Sequence, residues 1–120
     1  MTITPEQLTP ETDTQLQLLV GDEWLAVCPL SRLVPGRGLA ALLPDGRQAA
    51  LFVDREGRPY AIDNRDPFTG AQVLSRGLLG SLAGRPFVAS PLLKQRFDLG
   101  SGRCLDDEST AVTAYEVRLH

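Results

Sequence analysis

From Trp24 onward, turn chemistry interrupts the chain so often that no periodic apolar stretch reaches the length of an ordinary helix. Pro44-Asp45-Gly46-Arg47 and Arg55-Glu56-Gly57-Arg58 combine a preset φ, a side chain that bonds its own backbone, and a glycine free to turn. They separate three short segments, Gly38 to Leu43, Gln48 to Asp54 and Pro59 to Asp63, and so predict a β-meander. Trp24 to Leu30 predicts a strand before it. Pro86 to Ser90, Gln95 to Leu99 and Thr113 to Leu119 predict three more after it, the last with clear alternation. Gly100-Ser101-Gly102 reads as a hairpin turn. Leucine outnumbers valine plus isoleucine by 20 to 10, which on propensity leans toward helix, but the turn spacing outweighs it. Gly70 to Ala83, the one longer candidate, reads as a looped excursion. The expected class is all-β, a small sandwich or barrel.

With 120 residues the chain has the length of a single domain. Residues 1–22 are polar and proline-punctuated and predict a flexible lead-in, with one helical turn after Thr4-Pro5-Glu6; residues 23–120 form the domain. Charge divides along the same lines. Residues 1–23 carry five acids and no base, 24–104 carry eleven bases against six acids, and 105–120 carry four acids against Arg118. Two acidic ends around a mildly basic body do not make the clustered basic stripe that nucleic acid calls for. No apolar run is long enough to span a bilayer and the N-terminus lacks the pattern of a secretory signal, so the expected location is the cytoplasm.

Little here can carry catalysis. Cys28 and Cys104 are the only cysteines and read as small hydrophobes near strand ends; His120, the last residue, is the only histidine. That removes a Ser-His-Asp triad, a Cys-His pair and any multi-histidine metal site. Gly36-Arg37-Gly38-Leu39-Ala40-Ala41 matches a relaxed dinucleotide pattern, but Pro44 follows too closely for the helix that motif requires. Asp63, Asn64 and Asp66 could in principle face a hard cation, although acids in such a turn more often cap it.

The informative text is Tyr60-Ala61-Ile62-Asp63-Asn64-Arg65-Asp66-Pro67, then Leu74-Ser75-Arg76-Gly77, then Phe87-Val88-Ala89-Ser90-Pro91-Leu92-Leu93-Lys94-Gln95-Arg96-Phe97-Asp98-Leu99. This framework, over about residues 24–119, resembles the Rieske [2Fe–2S] domain, in which a Cys-x-His loop and a Cys-Pro-x-His loop grip one cluster. The resemblance implies a Rieske-like fold with two loops at the cluster-binding tip. It places Asn64 and Asp66 at the ligand positions of the first loop, and Ser90 and Leu93 at those of the second. A Rieske centre needs two thiolates on one iron and two imidazoles on the other, which these four side chains do not offer. No cofactor is expected in this chain.

Asn64-Arg65-Asp66-Pro67-Phe68-Thr69-Gly70 in one loop, Ser90 to Phe97 in the other, and Gly102-Arg103-Cys104-Leu105-Asp106-Asp107 beyond them resemble the small subunit of NAD(P)H-dependent nitrite reductase. That resemblance implies a large-subunit partner carrying FAD, sirohaem and a [4Fe–4S] cluster, on which nitrite becomes ammonium, and an accessory subunit that is not catalytic alone. An adaptor of another oxidoreductase and a free-standing ferredoxin-like carrier are the rival readings; a hydrolase using Ser90 or Asp66 lacks an activating base. The tip carries Arg65, Leu92, Lys94, Gln95 and Arg96, a basic and partly apolar knob suited to docking a partner. The other reading of the same loops is a relic pair packed together, with Leu93 filling the space a cluster would take.

Overall fold

The structure is a computed structural model and describes residues 14–120. Nine strands, β1 (Gln15–Val20), β2 (Glu23–Pro29), β3 (Leu39–Leu42), β4 (Gln48–Val53), β5 (Pro59–Asp63), β6 (Leu78–Leu82), β7 (Arg85–Ala89), β8 (Arg96–Asp98) and β9 (Val117–Leu119), form three antiparallel sheets. Their orders are β2-β1-β9, β3-β4-β5 and β6-β7-β8. The described residues contain no α-helix, only 3-10 turns such as Leu74–Arg76. The meander expected from the Asp-Gly and Glu-Gly turns is the middle sheet. Gly46 and Gly57 sit at φ of +92° and +83° in its two turns, where a side chain would strain the backbone.

β4 explains how three small sheets share one fold. Its sequence, Gln-Ala-Ala-Leu-Phe-Val, is apolar without alternation, and all but Gln48 are buried. Ala49, Leu51 and Val53 face one core with Leu16, Leu18, Leu43 and Tyr115. Ala50 and Phe52, on the opposite face, enter a second core with Ile62, Leu74, Val88, Phe97 and Leu99. Successive residues of a strand point to opposite faces, so a strand buried on both must be apolar throughout. The middle sheet therefore lies between the other two.

Three elements differ from the sequence reading. The segment read as lead-in contributes β1, which pairs with both β2 and β9 and buries Leu16 and Leu18 completely. Gln15, Leu16, Gln17 and Leu18 alternate as a half-buried strand should. The helical turn expected after Thr4 lies outside the described residues. Second, the excursion from Gly70 to Ala83 ends in β6, whose Gly80 is covered by the ring of Phe87 across the pair. Third, the long strand expected from Thr113 breaks in two. Around Ala114 the chain bridges to Ile62 on β5, and only Val117–Leu119 joins β1.

The Gly100-Ser101-Gly102 turn is built as a side-chain lock. Asp98, almost fully buried, accepts hydrogen bonds at Oδ2 from Ser101 N (2.8 Å), Ser101 Oγ (2.7 Å) and Arg85 Nη2 (2.9 Å). Burial alone would raise the Asp98 carboxyl, but Ser101 and the Arg85 guanidinium together hold it below its ordinary range.

Candidate functional site

The two loops of interest leave adjacent sheets and meet. The first runs from Asn64 at the end of β5 to the 3-10 turn at Leu74–Arg76; the second runs from Ser90 to Gln95 between β7 and β8. Asn64 is buried and fully engaged. Its Nδ2 donates to Gln48 Oε1 (3.0 Å), its Oδ1 accepts from Ser75 N (2.7 Å), and its carbonyl accepts from Leu74 N (3.0 Å). One carboxamide thus ties β4 to the turn that carries Arg76.

Asp66 folds the first loop onto itself. Its carbonyl accepts from Gly70 N (2.7 Å), its amide donates to Ala71 O (2.8 Å), and its Oδ1 accepts from Phe68 N (2.8 Å). Its Oδ2 reaches the other loop and accepts a 2.6 Å hydrogen bond from Ser90 Oγ. Ser90 Oγ in turn accepts from Leu92 N at 3.3 Å, and the Ser90 backbone closes its own loop through Gln95 O (2.8 Å) and Lys94 N (3.0 Å). Asp66 and Ser90 are 0% and 1% exposed. A short hydrogen bond between a buried carboxylate and a hydroxyl is among the stronger neutral-to-charged contacts a fold can make.

Of the four residues that the Rieske resemblance aligns with ligands, Asn64 bonds Gln48 and Ser75, and Asp66 and Ser90 are brought together. Leu93 is not: it is 56% exposed, and with Leu92 it projects from the tip. Leu93 does not fill the interior between the loops; the Asp66–Ser90 contact closes them instead. The donor set does not fit a [2Fe–2S] cluster. No thiol or imidazole stands at any of the four positions, and the amide and carboxylate oxygens are already used by Ser75, Phe68 and Ser90. Nor do Asp63, Asn64 and Asp66 converge on a cation site. Asp63 Oδ1 accepts from Arg65 N, and no group of three His, Cys, Asp or Glu side chains suited to a metal occurs among the described residues.

The knob is only partly as expected. Arg65, Leu92 and Lys94 are exposed, and neither basic side chain has an ion-pair partner among the described residues. Lys94 holds a left-handed backbone, φ +67°, at the apex of its loop. Gln95 is half-buried, and its Oε1 has no hydrogen-bond partner. Arg96 is not a free charge. Its guanidinium bonds Asp106 through Nε (3.2 Å) and Nη2 (2.8 Å), its amide bonds the same carboxylate (2.8 Å), and it lies 5.6 Å from the Phe87 ring centroid. Its hydrogen bonds to the Asp106 carboxylate hold that group below its ordinary range. Sequence reading missed this pairing because ten residues separate the partners. It also missed Phe68, which is exposed on the first loop with its ring 6.3 Å from that of buried Phe97.

Residues 23–120 match the Rieske-like [2Fe-2S] domain family. The chain is 44% identical over 103 residues to the nitrite reductase (NADH) small subunit of Salmonella typhimurium, covering 81% of this chain and 90% of that protein. The chain belongs to the nitrite reductase small-subunit family. Among solved structures, the Escherichia coli protein NirD is 41% identical and superposes with a TM-score of 0.71, covering 81% of this chain and 94% of NirD. A stretch of the Klebsiella oxytoca nitrite reductase [NAD(P)H] large subunit is also similar, 43% identical over 114 residues, covering 94% of this chain but 12% of that protein. The small-subunit family thus has a counterpart inside a large-subunit chain. The all-β, two-loop architecture expected of a Rieske-like domain is the one observed.

Proposed function

We propose that this chain is the accessory small subunit of an NAD(P)H nitrite reductase, brings no cluster of its own, and acts by assembling with a large subunit that holds FAD, sirohaem and a [4Fe–4S] cluster and reduces nitrite to ammonium. The observation that carries the reading is the Ser90–Asp66 hydrogen bond, which turns the pair of loops of a Rieske-like domain into a closed polar lock. The similar stretch within the Klebsiella large subunit supports a working association of the two components, since there they share one chain. Docking falls to the tip, where exposed Leu92 and Leu93 stand beside Arg65 and Lys94. Two free cysteines fit a reducing cytoplasm. Nitrite-dependent NAD(P)H oxidation by the large subunit, measured with and without this chain, tests the proposal. The pair is expected to exceed the large subunit alone, while this chain alone gives no turnover. Turnover by the isolated chain, or no association with the large subunit, would refute it.

A further inference from the structure

We infer that Arg37 and Arg76 form a paired guanidinium clamp for a carboxylate side chain presented by the large subunit; this rests on the proposed association and supplies its charge recognition. The two arginines occur in parallel settings, Gly36-Arg37-Gly38 and Ser75-Arg76-Gly77. Glycine is required at both inner positions. A Cβ on Gly38 would run into the Ser75 carbonyl and lie 2.7 Å from the Phe52 ring, and one on Gly77 would run into the Ala89 carbonyl. The first of these close approaches sets the segment before β3 against the 3-10 turn, and the second sets the end of that turn against β7. Arg37 N bonds Val34 O (3.0 Å), Arg76 N bonds Val73 O (2.9 Å), and Asn64 pins Ser75 from below.

The result is a shallow groove of about 350 Å³ lined by Gly36, Arg37, Gly38, Ser75, Arg76 and Gly77. No acidic side chain lines it. Both guanidiniums are exposed and have no hydrogen-bond, ion-pair or ring partner among the described residues. Arg47, Arg58, Arg85 and Arg96 each have an aspartate, whereas Arg55, Arg65 and Arg103, like Arg37 and Arg76, have no ion-pair partner among the described residues. Arg37 and Arg76 line one groove that holds no counter-charge, and a carboxylate matches the planar fork of a guanidinium.

The shape selects the occupant. Small-molecule sites bury roughly 70–90% of their ligand, which a shallow groove does not. An acidic side chain delivered by a partner is held by the rest of the interface, and there water is excluded and the ion pair strengthens. The groove also borders the tip. Gly77 packs on Ala89, Leu78 pairs with Ala89, and the next residue, Ser90, opens the second loop.

The test is affinity of the full chain for the purified large subunit, at low and high salt, for wild type, Arg37→Glu/Arg76→Glu and Arg37→Gln/Arg76→Gln. The inference expects the charge reversal to weaken assembly at least about tenfold at low salt, the glutamine pair to weaken it less, and both to flatten the salt dependence. If the reversed chain fails to keep its thermal melt, the glutamine pair decides alone. Wild-type affinity and salt dependence in a folded variant overturn the clamp and leave the proposed association standing. Failure of the wild-type chain to bind overturns the association itself. Inorganic phosphate, titrated while the Arg37 and Arg76 side-chain resonances are followed, is expected to leave them unsaturated at about 1 mM. Tighter saturation would make a free anion the occupant and overturn the clamp as stated.

Discussion

Ser90 Oγ donates to Asp66 Oδ2 at 2.6 Å, joining two loops through residues 24 apart that the Rieske resemblance aligns with ligand positions. This hydrogen bond links the Asn64–Arg76 loop to the Ser90–Gln95 loop. Ser90→Ala leaves a buried carboxylate oxygen without its donor, a change that typically costs about 1–3 kcal/mol. Thermal melts of Ser90→Ala, Asp66→Asn and the double variant check this. The two single losses are expected to be clearly non-additive, as for any directly bonded pair.

Gly38 is expected to resist even the smallest side chain. Gly38→Ala forces a methyl toward the Ser75 carbonyl and the Phe52 ring, and overpacking of this kind costs about 1–3 kcal/mol. Chemical denaturation of Gly38→Ala beside Gly36→Ala separates the effects. Gly36 has open space around its Cβ direction and only its positive φ to oppose the change.

Asp98 supplies an acid-sensitive contribution. Its folded pKa lies below the ordinary value of 3.8, so the ionised form binds the fold more tightly than the unfolded chain does. That stability is complete above the unfolded pKa and drains away as pH falls below about 4 through the folded pKa. Melting temperatures from pH 7 down to pH 2.5 are expected to drop more steeply for wild type than for Asp98→Asn, which starts lower and loses less.

The tip charges separate into two kinds. Lys94→Glu changes an exposed side chain without an ion-pair partner and is expected to leave the melt unchanged, while weakening assembly with the large subunit. Arg96→Glu breaks the Asp106 contacts and is expected to lower the melting temperature. A reversal of both together would therefore mix docking with folding; melts and binding assays on the two single variants keep the effects apart.

What the sequence disclosed and what it hid follow from the range of the interactions. The β3-β4-β5 meander was legible because its turns are local, and glycine at positive φ leaves a plain signature. β1 was readable in the alternation of Leu16 and Leu18 with glutamines, but the prolines before it outweighed four residues of pattern. β6 was hidden by Gly80, whose place in a strand makes sense only once the Phe87 ring is seen to cover it. The ligand positions could be judged chemically from residue type alone. The Asp66–Ser90 bond, the Arg96–Asp106 pair and the outward course of Leu93 could not, because each depends on where separate loops lie in space.

The central claim, that a polar lock stands in place of a cluster, is tested most directly by iron and acid-labile sulfide per chain after anaerobic purification and again after reconstitution with iron and sulfide. The expected result is far less than one iron per chain in both samples, with Asp66 and Ser90 engaged with each other. About two irons and two sulfides per chain, with the spectrum of a [2Fe–2S] centre, would contradict it.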